Sequence, residues 1–522
     1  MRWARPVAWL AVVSLWLALG PLVVVAAVVL LAVPRTGRRA RPLLLGSGPP
    51  TRRTTLAAVA AAGLVVGGLW VLPDGRLPVP PGGGAWVTPG YTGRPVSAQP
   101  LLADGAGVPD PVVVPTVSDL PGPLGLSVEV DSAWFGAEHC GALLPDSHGR
   151  LAALCTSRSG ARLKVIDPRT LRPVATQELP DACGESGAPA PPVLDAAGNL
   201  LVATGDRRLL QVATADAADD PALVTEAVVD LAPVVPAGDC VVAVVVDGTE
   251  RAWFATAAGL VGVVAGDADP VVVDLGEPVG QPLAADRDGV YVTTVEAVHR
   301  VVTRAGAPLV GWRTAYETGS GVKPGQRDAG SGSGAVLLDS DAGPLLAFTD
   351  NANPRMHVVV LRAGDGEQVC RTQVFEDDAS ATEAALVPVE GGVVVTNGHG
   401  WTGLASGVLG RRPPGGLARV EADCSTAWTS PEVAPTSGVT LSRATGLLYA
   451  WTKRRSWLGA DAWYLTALDA RTGRTAWSAR GGTGPWADND GAAVTLGPGG
   501  AAFVGTRAGL VRVVDGTRGL RD

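Results

Sequence analysis

The sequence predicts an all-β chain whose main part is a β-propeller of eight blades, or of seven if one repeat is miscounted. The first observation is a threonine that recurs about every 50 residues at the end of a short apolar run: Thr156, Thr204, Thr256, Thr293, Thr349, Thr396, Thr452 and Thr506. A turn and a second apolar run follow each threonine, which indicates a repeated β-hairpin. Several short strands in each repeat of this length are typical of propeller blades. The second observation is composition, because 68 Gly and 42 Pro accompany short Val-rich runs that lack a helical period.

The N-terminal part predicts two membrane-spanning helices. Residues 1–33 contain a run of 28 uncharged residues, Pro6 to Val33, and a second uncharged run covers 54–73. Both are long enough to cross a bilayer core of about 30 Å. The loop between them, 34–53, carries six arginines and no acid, so the positive-inside rule places it in the cytoplasm. The C-terminal part would then lie outside the cytoplasm, at the cell membrane. A cleaved signal peptide is the alternative interpretation of the first run.

The next segment, 74–125, is rich in Pro and Gly and predicts a semi-extended stalk between the membrane and the propeller. The propeller itself is assigned to 126–522. Its last repeat ends before a fourth strand can form, and an open edge strand would pair with other molecules. Because Leu126 to Val130 alternates in the manner of a strand, we expect this segment to complete the last blade.

The seventh repeat shows the pattern most fully. Strands are predicted at Thr440–Ser442, Leu447–Thr452, Trp463–Leu468 and Thr475–Trp477, with a tight turn from Asp469 to Gly473. The sequence from Leu465 to Trp477 resembles the repeat of the quinoprotein-like (PQQ-like) β-propeller family, in which a small residue and Asp, then Thr-Gly, then Trp recur. The resemblance implies a propeller of about 380 residues, although its motif is specific in this one repeat. It also implies quinoprotein dehydrogenase activity, with PQQ and calcium, as an alternative function. The adjacent cysteine pair of those dehydrogenases is missing here.

Cysteine usage predicts disulfides in an oxidising compartment. The chain has six cysteines, all within the propeller: Cys140, Cys155, Cys183, Cys240, Cys370 and Cys424. Six cysteines allow 15 pairings. The repeat frame favours Cys183 with Cys240 and Cys370 with Cys424, which leaves Cys140 for Cys155. No metal site is predicted, because Cys-x-x-Cys is absent and the five histidines are scattered.

The net charge of the chain limits the classes of molecule that it is expected to bind. The first 53 residues hold eight arginines and no acid, which leaves a net charge of −16 for the remainder. A domain this acidic repels nucleic acid and anionic lipid surfaces, so no nucleic-acid partner is expected. The predicted partners are the lipid bilayer, through the N-terminal helices, and a small molecule or an extracytoplasmic protein.

A binding site is predicted on one face of the ring. In a propeller, the loops between strands two and three emerge on the same face as the links from each fourth strand to the next blade. In repeats five to seven these loops are polar, and the residues expected to contact a ligand are Glu317, Lys323, Gln326, Asp350, Asn351, Asn397 and Lys453. The two lysines favour an anionic or polyhydroxylated ligand. Treated as unpaired surface lysines, Lys323 and Lys453 should be replaceable by Ala with little change in melting temperature.

Two function classes follow. The favoured one is a membrane-anchored extracytoplasmic propeller that binds a ligand or a protein and has no chemistry of its own, so no catalytic residue and no cofactor is expected. The alternative is a PQQ-like dehydrogenase or a hydrolase with its site on the loop face of blades five to seven. A hydrolase is disfavoured because the chain has no Gly-x-Ser-x-Gly motif.

Overall fold

The computed structural model describes residues 33–35, 38, 74–79, 88–101, 116–136, 138–157, 160–180, 190–214, 222–266, 268–340, 342–403, 412–436, 438–455 and 461–516. Within these ranges the chain forms an eight-bladed β-propeller, as the threonine repeat predicted. Each blade is an antiparallel sheet of four strands, which run outward from the central axis in chain order in blades 1 to 7.

Three strands precede the first blade: β1 (Tyr91–Gly93), β2 (Val117–Ser118) and β3 (Glu129–Trp134). Blade 1 consists of β4 (His139–Pro145), β5 (Leu151–Ser157), β6 (Gly160–Ile166) and β7 (Pro173–Glu178). Blade 2 consists of β8 (Val193–Leu194), β9 (Leu200–Ala203), β10 (Arg208–Thr214) and β11 (Leu223–Asp230). Blade 3 consists of β12 (Val241–Val246), β13 (Ala252–Thr256), β14 (Leu260–Val264) and β15 (Val271–Asp274). Blade 4 consists of β16 (Ala284–Ala285), β17 (Gly289–Thr293), β18 (Ala297–Arg304) and β19 (Ala307–Ala315).

The second half of the ring has the same order. Blade 5 consists of β20 (Val336–Leu338), β21 (Leu345–Thr349), β22 (His357–Arg362) and β23 (Gln368–Gln373). Blade 6 consists of β24 (Val387–Val389), β25 (Gly392–Thr396), β26 (Leu417–Glu421) and β27 (Thr426–Ser430). Blade 7 contains β28 (Thr440–Ser442), β29 (Leu447–Arg455), β30 (Asp461–Asp469) and β31 (Thr475–Thr483). Blade 8 contains β32 (Val494–Gly497), β33 (Ala501–Thr506), β34 (Gly509–Val514) and, as its outer strand, β3. Two 3-10 helices lie beside these last strands, at Pro485–Ala487 and Pro498–Gly500.

The repeat threonines lie at or within one residue of the end of the second strand of their blades, except Thr452, which lies three residues before the end of β29. Five of them are fully buried, including Thr256 and Thr506. The hydroxyl of Thr256 accepts a hydrogen bond from the backbone N–H of Leu260, and that of Thr506 donates to the carbonyl of Gly509. A β-branched residue that satisfies a loop backbone group stabilises the same turn in successive blades.

The ring closes as expected, by pairing an early strand with the last one. In blade 8, β3 pairs antiparallel with β34, from Glu129 opposite Val514 to Trp134 opposite Gly509. The strand begins later than the predicted Leu126. The reason is a turn, because the Asp515 carboxylate accepts backbone hydrogen bonds from residues 124–126.

The described parts of the predicted stalk pack on the ring. In blade 7, β1 pairs with the outer strand β31, and β2 pairs in parallel with the inner strand β28. Residues 74–79 also contact the ring, since Gly75 and Leu77 exchange backbone hydrogen bonds with Trp134. The Asp74 carboxylate pairs at 2.5 Å with the buried ammonium of Lys164. Exposed strand edges offer unpaired N–H and C=O groups, which explains why this segment is drawn onto the sheets.

The core lies between the blades. Eight clusters of buried apolar side chains occur, one at each interface between neighbouring blades. The cluster between blades 7 and 8 is rich in tryptophan, with Trp451, Trp463 and Trp477 fully buried. Blades 8 and 1 approach so closely that a Cβ on Gly505 would lie 1.8 Å from the Cys140 carbonyl oxygen.

Two of the favoured disulfides are present. Cys140 and Cys155 are opposite each other on β4 and β5, and Cys370 of blade 5 is bonded to Cys424 of blade 6. Cys240 is also disulfide-bonded, whereas its favoured partner, Cys183, lies outside the described residues. No cysteine in the described part of the chain is free.

Where the chain is described, none of its helices is sufficiently long and apolar to traverse a bilayer. The predicted membrane segments, 1–33 and 54–73, and the loop between them lie outside the described residues, apart from 33–35 and 38.

Candidate functional site

A cavity of about 390 Å³ opens on the face where the site was predicted. Its walls come from the links between successive blades from 4 to 8 and from the loop between strands two and three of blade 6. We call it the loop-face cavity, and its lining residues are Gly325, Gln326, Arg327, Thr382, Glu383, Ala384, Thr396, Gly398, Trp401, Thr402, Ala434, Pro435, Thr436, Asp490 and Gly491. Its volume falls within the range of about 300–1,000 Å³ that is usual for small-molecule sites.

Glu383 is the most perturbed acid of the cavity wall. One carboxylate oxygen accepts a hydrogen bond of 2.9 Å from the backbone N–H of Arg327, and the other lies 3.7 Å from the Arg327 Nε. The Glu383 side chain is 20% exposed, whereas that of Arg327 is 80% exposed. Burial raises the pKa of Glu383 to about 7, because desolvation penalises the carboxylate more than the solvated guanidinium stabilises it.

Trp401 forms an aromatic part of the wall. Its ring meets Trp463 edge to face, with the ring centroids 5.7 Å apart, and the Lys453 ammonium lies 5.5 Å from its centroid. The residue is 7% exposed. Among the described residues its indole N–H has no hydrogen-bond partner, and neither has the side-chain carbonyl oxygen of Gln326. Buried polar groups without a partner are costly, and a ligand could supply one.

The wall opposite blade 6 belongs to the link between blades 7 and 8. The Thr436 hydroxyl donates to the side-chain oxygen of Asn489 at 2.6 Å. Asp490 forms an ion pair with Arg507, which also contacts the buried Asp488. These bonds fix the link, and they leave Asp490 partly exposed at the cavity.

Lys323, one of the predicted contacts, forms hydrogen bonds with two loops. Its ammonium donates to the carbonyl oxygens of Ala352 at 2.7 Å and Ser380 at 3.3 Å. Burial lowers the pKa of Lys323, although Asp350 and Asp378 partly offset the effect. The ammonium therefore links blade 5 to the segment that leads to blade 6.

Asp350, Asn351 and Asn397 are buried in the loops near Lys323. The Asp350 carboxylate accepts from the His357 backbone N–H and contacts the His357 ring at 2.9 Å, so it organises a turn. The Asn351 amide donates to Ala329 O, and the Asn397 amide donates to the carbonyls of residues 379 and 415. These side chains fix loop backbones and do not line the cavity.

The other three predicted residues lie in different parts of the structure. Gln326 lines the loop-face cavity. Glu317 is exposed and pairs at 2.9 Å with Arg371 on the outer strand of blade 5. Lys453 is 1% exposed and pairs at 2.7 Å with Asp461, so it is a buried group and the expectation of an unpaired surface lysine is wrong.

Four wall residues were not among the predicted contacts: Glu383, Arg327, Trp401 and Asp490. All four fall within or next to loops whose polarity was the signal for this face. Loop polarity does not show which side chains turn toward the cavity, because backbone bonds within each loop decide their direction. In the described part of the chain, no three His, Cys, Asp or Glu side chains form a group that could hold a metal ion.

Comparison with known proteins identifies no family. No protein-family model matches the chain. An uncharacterized protein of Archaeoglobus fulgidus is 26% identical over 323 residues, which cover 54% of this chain and 62% of the relative. The chain thus spans less than two thirds of that relative's length.

Solved structures of β-propeller proteins resemble the chain at low sequence identity. A streptogramin B lyase structure has 10% identity and a TM-score of 0.38, covering 74% of this chain and 97% of its own. BamB from Moraxella catarrhalis has 14% identity and a TM-score of 0.35, covering 81% and 99%. The dihydro-heme d1 dehydrogenase NirN has 14% identity and a TM-score of 0.44, covering 86% and 89%. Similarity at this level concerns the fold alone.

Proposed function

We propose that the protein is a membrane-anchored, extracytoplasmic binding propeller that holds a small ligand in the loop-face cavity. The observation that carries the binding role is the cavity itself. It lies between rigid blades, and its wall contains a poorly solvated carboxyl, Glu383, and polar atoms of Gln326 and Trp401 that have no partner in the described part of the chain. Such groups stabilise the folded protein less than fully bonded ones would, so a ligand that bonds to them gains affinity.

The proposed location is supported by the disulfides. Cys140–Cys155 and Cys370–Cys424 connect residues within and between blades, and such bonds persist in oxidising compartments. The arginine-rich loop at 34–53 gives the orientation, since positive loops stay in the cytoplasm.

A reporter fusion tests the location. With alkaline phosphatase, which is active only outside the cytoplasm, fused after Asp522, we expect activity in intact cells. A β-galactosidase fusion at the same position is the control and should be inactive. The reverse result, with β-galactosidase active and phosphatase inactive, would show that the propeller is cytoplasmic.

A cavity-filling substitution tests the binding role. Ala384 is half-buried and lines the cavity, so Ala384→Trp should fill much of its volume. We expect small molecules that raise the melting temperature of the wild-type protein to lose at least about tenfold in affinity for this variant, because a bulky side chain cannot share the site. Val228→Trp, at an exposed position on β11, is the matched control. Equal binding by Ala384→Trp and wild type would place the ligand elsewhere.

A further inference from the structure

Among the described residues, the charges on the cavity wall are one guanidinium and two carboxylates. They belong to Arg327, Glu383 and Asp490. The Arg327 side chain extends into solvent, so water screens its charge, whereas Glu383 is mostly withdrawn from solvent. The poorly screened charge of the cavity is therefore negative whenever Glu383 is ionised.

Glu383 has fewer hydrogen bonds than a buried carboxylate needs. An ionised carboxylate offers about four acceptor positions. In the described structure one donor reaches it, the backbone N–H of Arg327. Gln326, next to Arg327 in the chain, adds an acceptor oxygen that has no donor. The Glu383 carboxylate therefore has acceptor positions to spare, and it calls for a group rich in donors.

The two lysines from which the sequence predicted an anionic ligand are already occupied. Lys323 is bonded to two carbonyl oxygens, and Lys453 is buried against Asp461. Neither lysine lines the cavity. The anionic ligand favoured by the sequence therefore has no free ammonium group to bind.

We propose that the loop-face cavity binds a cationic ligand through a protonated amine, with Glu383 as its counter-ion. This inference rests on the proposed function and specifies the ligand class. An ammonium group carries three donors and no acceptor, so it can bond to the Glu383 carboxylate and keep donors for other acceptors of the wall. Hydrogen bonds between charged partners are also stronger than those of a neutral alcohol.

Binding is coupled to a proton. Burial raises the pKa of Glu383 to about 7, with Arg327 opposing the shift and Asp328 adding to it, so about half of the free protein carries the proton at neutral pH. An ammonium ligand favours the carboxylate and lowers that pKa, so binding releases about half a proton at pH 7. Since the amine stays charged between pH 6 and 8, affinity should be about tenfold weaker at pH 6 than at pH 8.

Three probes on one skeleton test the ligand class: 2-phenylethylamine, 2-phenylethanol and 3-phenylpropanoate. We expect calorimetric titration of the full chain to show the amine binding at least about tenfold more tightly than the alcohol or the carboxylate. Titration at pH 7 in two buffers of different ionisation enthalpy should show the released proton. Glu383→Gln keeps the shape of the side chain and should lose both the preference and the pH dependence. Glu317→Gln, at the exposed pair with Arg371, should change neither.

The outcomes separate the two proposals. If the alcohol or the carboxylate binds best and Ala384→Trp abolishes that binding, the cavity is a ligand site and the cationic class is wrong. Binding of the amine that persists in Ala384→Trp would overturn the cavity site for that ligand, and an unchanged preference for the amine in Glu383→Gln would overturn the role of Glu383 as counter-ion. Failure of all three probes to bind at millimolar concentration, while another compound class binds in an Ala384-dependent way, would also reject the cationic class.

Discussion

Lys453→Ala is expected to destabilise the propeller by about 3–5 kcal/mol, which is the usual cost of removing one partner of a buried ion pair. Lys453 is 1% exposed, and its ammonium lies 2.7 Å from the Asp461 carboxylate. Burial raises the pKa of Asp461, and Lys453 partly opposes this shift. Without the lysine, Asp461 must ionise unpaired or take up a proton. The substitution also removes a cation from beside the Trp401 ring.

Chemical denaturation monitored by tryptophan fluorescence measures this loss. Arg355→Ala is the control, because Arg355 pairs at 2.8 Å with Asp377 on the surface, where a pair contributes about 0–1 kcal/mol. The double variant Lys453→Met, Asp461→Leu should recover much of the stability, since it removes both charges. A Lys453→Ala protein as stable as Arg355→Ala would show that Lys453 is solvated, as the sequence alone suggested.

Removing residues 509–522 is expected to abolish the cooperative unfolding transition of the propeller. The deletion removes β34, which pairs with β33 on one side and with β3 on the other. The buried side chains of Leu510, Val511 and Val513 leave the clusters on either side of blade 8. The strand β3 would lose its paired strand in blade 8 and β33 would lose one of its two, and unpaired edges associate with other chains.

Calorimetry and size-exclusion chromatography test this expectation. We expect the shortened protein to aggregate and to show no sharp heat-absorption peak. A chain shortened by 517–522 keeps every described strand and should unfold like the full chain. A monomeric, cooperatively folded protein without residues 509–522 would mean that the seven remaining blades are stable as an open ring.

Much of the fold was predictable because it repeats. A threonine in or next to the second strand recurs in every blade, so each repeat supports the interpretation of the others. The turn at Asp469 to Gly473 was also predictable, since the Asp469 carboxylate accepts from the Arg471 and Thr472 N–H groups and Gly473 has a positive φ of 67°. Closure by an early strand followed from counting strands. These features depend on local chemistry, which the sequence states directly.

The site was predictable as a face of the ring and not as a set of side chains. Lys453 illustrates the reason. The sequence suggested that the second strand of blade 7 ends at Thr452, whereas β29 continues to Arg455 and pairs Lys453 with Trp463. Because of this extension, Lys453 lies between blades, and its ammonium pairs with the Asp461 carboxylate. Glu383 shows a second reason, which is contact between distant segments. Its carboxylate accepts a hydrogen bond from the backbone of Arg327, more than 50 residues earlier in the chain. Contacts between distant loops have no signature in a single sequence.

Blade 8 can be completed only late in synthesis, because one of its strands is made early and the other three are made last. The partner of β3, β34, is made only after more than 370 further residues. At translation rates of roughly 5–20 residues per second, that interval lasts on the order of tens of seconds. Throughout it, the edge of β3 that will pair with β34 lacks its partner strand, because residues 74–79 bond through Trp134 to the opposite edge. The chain must therefore carry an unpaired strand edge, which can associate with other molecules, for most of its synthesis.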